Sequence, residues 1–475
     1  LIPEDWEVVR LGDIAEIQQG KTPKRDLYDD RKGYRIIKVK DFENEKFVKH
    51  YPNGERSFVK VDLGNRYTLE QGDILILSAG HSSKVVGQKI GFYNVNSNNK
   101  VFFVSELLRI RANNKTNPLF LFFSIISQKS RKQIKEEIKG GHLYPRDLVN
   151  LKIPLPPLPE QKAIATVLDK IRQAIEQTEE VIQANKELKK SLMKHFFTYG
   201  VVPPEETDKV KLKETEIGLI PEHWEIKTLK DSVDSIEYGY SVSIPANEDQ
   251  KGIPIISTAD ITKEGKLLYN KIRKIKPPKR LTEKLILKDG DVLFNWRNSP
   301  ELIGKTTVFE AEKVSKDDFY IYASFILRIR SKESESNNFY LKYLLNYYRE
   351  IGTFIKLARR AVNQANYNRN EIYNLKIPLP PIDEQKQIAK ILNKIDNKIE
   401  AEENKKEALE KLFKSLLNNL MTGKIRLNKN FIEKFEKEEI HQKMKELSKK
   451  LSEDKEYLEE IKEFEALSDE FIEEN

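Results

Sequence analysis

The sequence predicts an α+β protein: two mixed α/β globules joined by two long helices that form an antiparallel coiled-coil spacer, a pseudo-twofold internal repeat. Three observations carry this prediction. The stretch NLKIPLPPLPEQKAIATVLDKI (Asn150–Ile171) returns as NLKIPLPPIDEQKQIAKILNKI (Asn374–Ile395), with 16 of 22 positions identical. Shorter motifs repeat in the same order: LIPEDWE at Leu1 and LIPEHWE at Leu219, GDILIL at Gly72 and GDVLFN at Gly290, LRIR at Leu108 and at Leu327, LKKSLM at Leu188 and LFKSLL at Leu412. After each proline-rich stretch, apolar residues recur on a 3–4 spacing for about 40 residues, the period of a helical seam. Two long copies are too few for a solenoid and indicate a duplicated domain.

Each copy opens with a β-rich globule, expected at 1–157 and 219–381. The runs RIIKVKDF (Arg35–Phe42) and PIISTADI (Pro254–Ile261), and the Gly-Asp turns leading into ILIL and VLFN, read as strands. PLFLFFSIISQ (Pro118–Gln128) and FYLKYLLNYY (Phe339–Tyr348) read as short helices. The prolines then act as a boundary. Pro154, Pro156 and Pro157 end a strand and disfavour helix before them. Pro159 suits a first helical turn, and Glu160, or Asp383 with Glu384, puts negative charge at the helix N-terminus.

The spacer helices are expected at 158–200 and 382–427. Their seam residues are Ile164, Leu168, Ile171, Ile175, Thr178, Ile182, Asn185, Leu192 and Phe196 in one, and Ile388, Leu392, Ile395, Ile399, Leu409, Leu412, Leu416 and Leu420 in the other. Connectivity gives the direction. Forty helical residues span about 60 Å, and a 20-residue linker extends at most about 66–72 Å. A parallel pair would need the 20 residues Tyr199–Gly218, the linker 201–218 with the end of the helix, nearly taut; an antiparallel pair needs only a local turn. The segment 428–475 is an acidic tail. Its stripe of Ile440, Met444, Leu447, Leu451, Leu458 and Ile461 predicts a further helix against the spacer.

Charge is unevenly placed. Residues 431–475 carry 8 Lys and 16 acidic residues, while the rest carries 75 basic and 59 acidic side chains, a net of +16. A basic body suits a polyanionic partner, because Lys and Arg that neutralise phosphates release counterions. The absence of cysteine excludes disulfides and thiolate metal sites. With no apolar run of membrane-spanning length and no signal-peptide pattern, the expectation is a cytoplasmic protein without a membrane partner.

Enzyme signatures are missing from the sequence. No [NDS]-P-P-[YFW] methyltransferase motif occurs, and IGKTT (Ile303–Thr307) lacks the first glycine of a phosphate loop, where Ser299 stands. The six histidines show no metal-ligand spacing, so no metal site is expected.

The two copies differ where reading loops belong. In the first, QGKTPKR offers Lys21, Lys24 and Arg25; SAGHSSKVV offers His81, Ser82, Ser83 and Lys84; GGHLYPRD offers His142, Tyr144 and Arg146. In the second, YGYSVSIP offers Tyr240 and NWRNSPEL offers Trp296, Arg297 and Asn298. ARRAVNQANYNRN, read as a loop, offers Arg359, Arg360, Asn363, Gln364, Asn366, Tyr367 and Arg369. These side chains pair with base edges and phosphates of duplex DNA. The readings left open are a protein-binding scaffold, and a methyltransferase or nuclease with atypical motifs.

The doubled NLKIPLPP-EQ stretch, the doubled IPE-WE opening, GDILIL and the LMTGKIRL ending (Leu420–Leu427) resemble the specificity subunits of type I restriction–modification systems. The resemblance covers about residues 1–427. It implies two target-recognition domains, each reading half of a split asymmetric sequence in double-stranded DNA. It also implies spacer helices that set the gap and dock two modification (methyltransferase) subunits, with restriction subunits joining. The chain itself would be non-catalytic and without cofactor; S-adenosylmethionine, ATP and Mg would sit on the partner subunits.

Overall fold

The computed structural model describes residues 2–48, 57–80, 85–242, 252–278, 281–315, 318–354, 359–361, 364–367, 369–433 and 437. The stripe from Ile440 to Ile461 lies outside them. The chain divides into two compact units, Leu1–Gln177 with Lys406–Asn475, and Thr178–Lys405. Both divisions fall inside a long helix: Leu158–Tyr199 and Ile382–Met421.

In the first unit a five-stranded sheet runs in the order Ala15–Gln19, Leu107–Ala112, Ile74–Leu77, Ile90–Tyr93, Phe47–Val48. Ile74–Leu77 and Ile90–Tyr93 are buried at every position, which explains why ILIL reads as an unbroken apolar run. A second sheet orders Tyr28–Asp29, Phe58–Val59, Tyr34–Ile37 and Val101–Phe103. The helix Pro118–Ile126 starts where the side chain of Asn117 accepts the Phe120 N–H at 2.9 Å, with proline in the first turn.

The second unit repeats the plan. A four-stranded sheet orders Val233–Tyr238, Ile326–Ser331, Val292–Asn295 and Thr306–Val308; a three-stranded sheet orders Arg273–Ile275, Ile253–Ile256 and Ile321–Tyr322. Asn337 caps the helix Asn338–Glu350 as Asn117 does its counterpart.

The doubled sequence motifs meet one another in space. The opening strand Glu7–Arg10 pairs antiparallel with the proline strand Lys152–Leu155, and Glu225–Thr228 pairs with Lys376–Leu379 in the same register. Trp6 Nε1 donates to Glu160 at 3.2 Å, as Trp224 Nε1 does to Glu384. The glutamine of the repeated Glu-Gln is the knot. Gln161, buried, accepts the Asn117 N–H at 2.9 Å and donates to Pro156 O at 2.9 Å and Lys115 O at 3.3 Å. Gln385 accepts from Asn337 and donates to Pro380 O and Glu335 O at 2.9, 2.9 and 3.0 Å. One side chain thus ties the strand end, the long helix and the N-terminus of the short helix.

The long helices enter the cores of the units. Ile164, Ala165 and Leu168 join Leu417, Leu420 and Met421 in the first core; Met193, Phe196 and Phe197 join Ile388 and Leu392 in the second. In the second unit Lys189 reaches Asp396 at 2.6 Å, Lys186 reaches Glu403 at 3.1 Å, and the Val201 N–H reaches Glu384 at 3.4 Å. One helix advances as the other recedes, so these segments are antiparallel. The seam differs from expectation in one place. Leu412 is 46% exposed, and its neighbour Phe413 turns inward against Phe123. The globule, rather than a facing helix alone, selects the buried stripe.

Candidate nucleic-acid interface

The reading segment of each unit begins at a glycine that closes a strand. A Cβ on Gly20 would stand 2.1 Å from Val104 O and 2.5 Å from Phe103 O; on Gly239 it would stand 2.3 Å from Ala323 O and 2.4 Å from Tyr322 O. Only glycine permits this backbone approach. It launches Lys21 in one unit and Tyr240 in the other.

In the first unit Lys21, Lys24 and Arg25 are all exposed. The loop is pinned at its root: Lys21 N–H donates to Phe103 O at 3.0 Å, and Thr22 Oγ1 lies 2.7 Å from Ser105 Oγ and 2.9 Å from Glu106. Ser78 N–H donates to Glu106 O, and Leu143 N–H donates to Ser78 O, each at 2.8 Å. All three loops therefore converge on the turn at Ser105–Glu106. His142 pairs with Ala79 and stacks on Tyr144 at 6.0 Å, and the Arg146 guanidinium lies 5.1 Å from the Tyr144 ring centre. Arg146 is 82% exposed. An exposed imidazole–phenol–guanidinium stack suits bases and phosphates alike. His81, Ser82, Ser83 and Lys84 lie outside the described residues.

In the second unit Tyr240 N–H donates to Tyr322 O at 2.8 Å and Tyr240 O accepts from Ser324 at 2.9 Å. Trp296 Nε1 donates to Ser324 O at 2.7 Å, which fixes its ring between Tyr238 and Phe325, at 5.3 and 6.4 Å. The Arg297 guanidinium stands 5.0 Å from the ring of Phe325, itself 44% exposed. Arg369 N–H donates to the Tyr238 hydroxyl at 2.9 Å, and its guanidinium reaches Glu237 at 3.4 Å.

The segment expected to be a loop is largely a hairpin. Arg359–Ala361 pairs with Gln364–Asn366, which pairs in turn with Arg297–Asn298. The backbones of Arg359, Arg360, Gln364 and Asn366 thus join Arg297 and Asn298 in one small sheet. Asn363 lies outside the described residues. Tyr367 is a correction: it is 2% exposed and packs against Phe354 at 5.6 Å, so its ring belongs to the core of the second unit rather than to a reading surface. Its partners, Phe and Leu side chains of the core, give an apolar ring more than the surface does.

Sequence reasoning missed Tyr238, Ser105, Glu106 and Phe325, which support the loops from elsewhere in the chain. Tyr238 stood beside Gly239 in a quoted motif; Ser105, Glu106 and Phe325 carried no local signal. The repeated arginines of LRIR are structural. Arg111 grips buried Asp73, and Arg330 grips buried Asp291, through paired contacts of 2.8 Å. Burial pushes the Asp73 carboxyl up despite its arginine.

Each unit thus carries a glycine-launched loop beside an aromatic–guanidinium surface on a repeated framework. A family model described as the type I restriction modification DNA specificity domain matches residues 3–186 and again residues 221–411. The chain belongs to this family. It is 30% identical over 446 residues to the type I restriction enzyme MjaVIII specificity subunit of Methanocaldococcus jannaschii, covering 90% of this chain and 95% of that one. It is 38% identical over 226 residues to the putative MjaX specificity subunit of the same organism, covering 46% and 50%. In fold it is similar to the crystal structure of a type I restriction–modification S subunit from M. genitalium, with TM-score 0.55 and 12% identity over 88% of this chain and 96% of that one. The chain is therefore a specificity subunit with two recognition domains, the addressing component of a type I system rather than its catalyst. No described helix is long and apolar enough to cross a membrane, and no group of described residues is placed to hold a metal ion.

Proposed function

We propose that each recognition domain reads one half of a split, asymmetric DNA target, while the long helices set the gap and dock two modification subunits. Restriction subunits, S-adenosylmethionine, ATP and Mg belong in this proposal to the partner proteins in the cytoplasm. The observation that carries the reading is the matched placement of unlike chemistry. Equivalent glycines launch equivalent loops, yet the first unit offers Lys21, Lys24, Arg25, His142, Tyr144 and Arg146. The second offers Tyr240, Trp296, Arg297 and Asn298, with the Arg359–Asn366 hairpin and Arg369. Same frame with different readers gives two different half-sites.

The test is a methylation map. The chain is expressed with its neighbouring modification subunit in a methylation-deficient host, and modified adenines are located by direct long-read sequencing. The expected result is a split asymmetric motif that vanishes when this chain is omitted. Arg297→Ala should relax one half of the motif and spare the other. Equal weakening of both halves would demote Arg297 to a phosphate contact. No methylation from a soluble complex that binds S-adenosylmethionine would refute the addressing role.

A further inference from the structure

The internal repeat sets four pairs of side chains in equivalent places where a recognition domain meets the long helices. Counted from the matched caps Asn117 and Asn337, Phe122 answers Lys342 and Phe123 answers Tyr343. Counted from the matched knots Gln161 and Gln385, Arg172 answers Asp396 and Lys189 answers Phe413. Every pair is chemically unlike or differs by a buried hydroxyl.

In the second unit the junction is ionic. Lys342, 8% exposed, donates to Asp396 Oδ2 at 3.1 Å, and Lys189 reaches Asp396 Oδ1 at 2.6 Å. The Tyr343 hydroxyl sits 2.7 Å from both Asp396 Oδ2 and Asn393 Oδ1. Burial opposes charge on Asp396, yet its two lysines and Tyr343 hold its carboxyl below the usual range. In the first unit the same junction is aromatic. Phe122 packs on Phe123 at 5.4 Å and on Phe47 at 5.8 Å, and Phe123 meets Phe413 edge-on at 5.9 Å. Arg172 stacks on the Phe47 edge of it, its guanidinium 3.6 Å from the ring centre, and pairs with Asp169 and Glu176 at 2.7 and 2.5 Å.

We infer that these positions form a pairing key, so that each recognition domain docks only on helix segments carrying its own complement. A lysine at 122 would be buried among aromatic rings near a guanidinium whose two carboxylates, Asp169 and Glu176, are already engaged. A phenylalanine at 342 would leave the half-buried Asp396 with one lysine fewer. Removing one partner of a buried ionic group costs far more than the pair contributes. The key opposes exchange or duplication of one domain at the other's place. It therefore preserves the order of the two half-sites, whatever bases each domain reads.

The test uses the full chain and two double-mutant cycles, read as melting temperatures. In the first unit Phe122→Lys and Arg172→Asp should each lower the transition by several degrees, while together they supply the lysine–carboxylate pair of the other unit and recover at least half of the combined loss. In the second unit the milder pair Tyr343→Phe and Asp396→Asn should be non-additive, because both act on one hydrogen bond. This cycle stays readable even where Phe122→Lys prevents folding. Additivity in either cycle that can be measured would overturn the key and leave ordinary packing. Neither readout depends on DNA recognition.

Discussion

Replacing Gln161 by leucine tests the claim that one buried amide holds the first recognition domain to its helix. Leucine is close in size, so the change removes hydrogen bonds more than volume. Three are lost: one accepted from Asn117 N–H and two donated to Pro156 O and Lys115 O. A hydrogen bond contributes about 1 kcal/mol net, whereas leaving its buried partner without one costs about 1–3 kcal/mol. Water reaches the exposed Lys115, so two partners carry the full penalty. The expected loss is about 3–7 kcal/mol, a large share of the stability of an ordinary domain. Denaturant unfolding of the full chain should show one transition shifted and a second in place; Gln385→Leu should shift the other. Gln161→Glu keeps the acceptor but loses both donors, and should be at least as harmful. A loss below about 0.5 kcal/mol for Gln161→Leu, the level of an ordinary surface change, would refute the reasoning.

Gly239→Ala should displace the loop bearing Tyr240 and weaken reading of one half-site while the other half-site, measured in the same methylation map, holds. Asn295 is fully buried with neither amide atom hydrogen-bonded, where the first unit has Leu77; Asn295→Leu should raise the melting temperature of the second unit, by a gain of about 1–2 kcal/mol. Arg426, bonded to Asp5 and Glu160, holds the Asp5 carboxyl below its usual range, first through their hydrogen bond. A depressed folded value stabilises above the unfolded value and is lost as pH falls through the folded one. The stability difference between wild type and Arg426→Ala should therefore narrow as pH drops below about 4, and a difference constant with pH would count against the pair.

Local rules made much of the framework legible. The prolines marked the helix starts because proline restricts its own and the preceding residue, and the structure begins the helices at Leu158 and Ile382. Apolar runs such as ILIL became buried strands. What stayed hidden was non-local. No window around Gln19–Arg25 shows that Thr22 will meet Ser105, 83 positions away. The Arg359–Asn366 stretch is polar and rich in Asn, so it reads as a loop; it becomes strand because Arg297–Asn298 offers it an edge. Gln161 and Gln385 did leave a signal, since both sit unchanged in the doubled motif. A glutamine simply has no distinctive chemistry to catch the eye.

The first unit is not a continuous piece of chain, since it takes in Leu1–Gln177 and then the segment from Lys406 onward. During synthesis its sheets emerge first, but Phe413, Leu417, Leu420 and Met421, which pack into its core, follow only after the whole segment Thr178–Lys405. At about 5–20 residues per second, the interval between Gln177 and Lys406 lasts on the order of ten seconds or more. Through that time Phe123 and its neighbours wait for Phe413 with an apolar face uncovered. The two-part wall makes the nascent chain a natural client for a chaperone. It also means that a messenger truncated within the second repeat spoils the first domain along with the second.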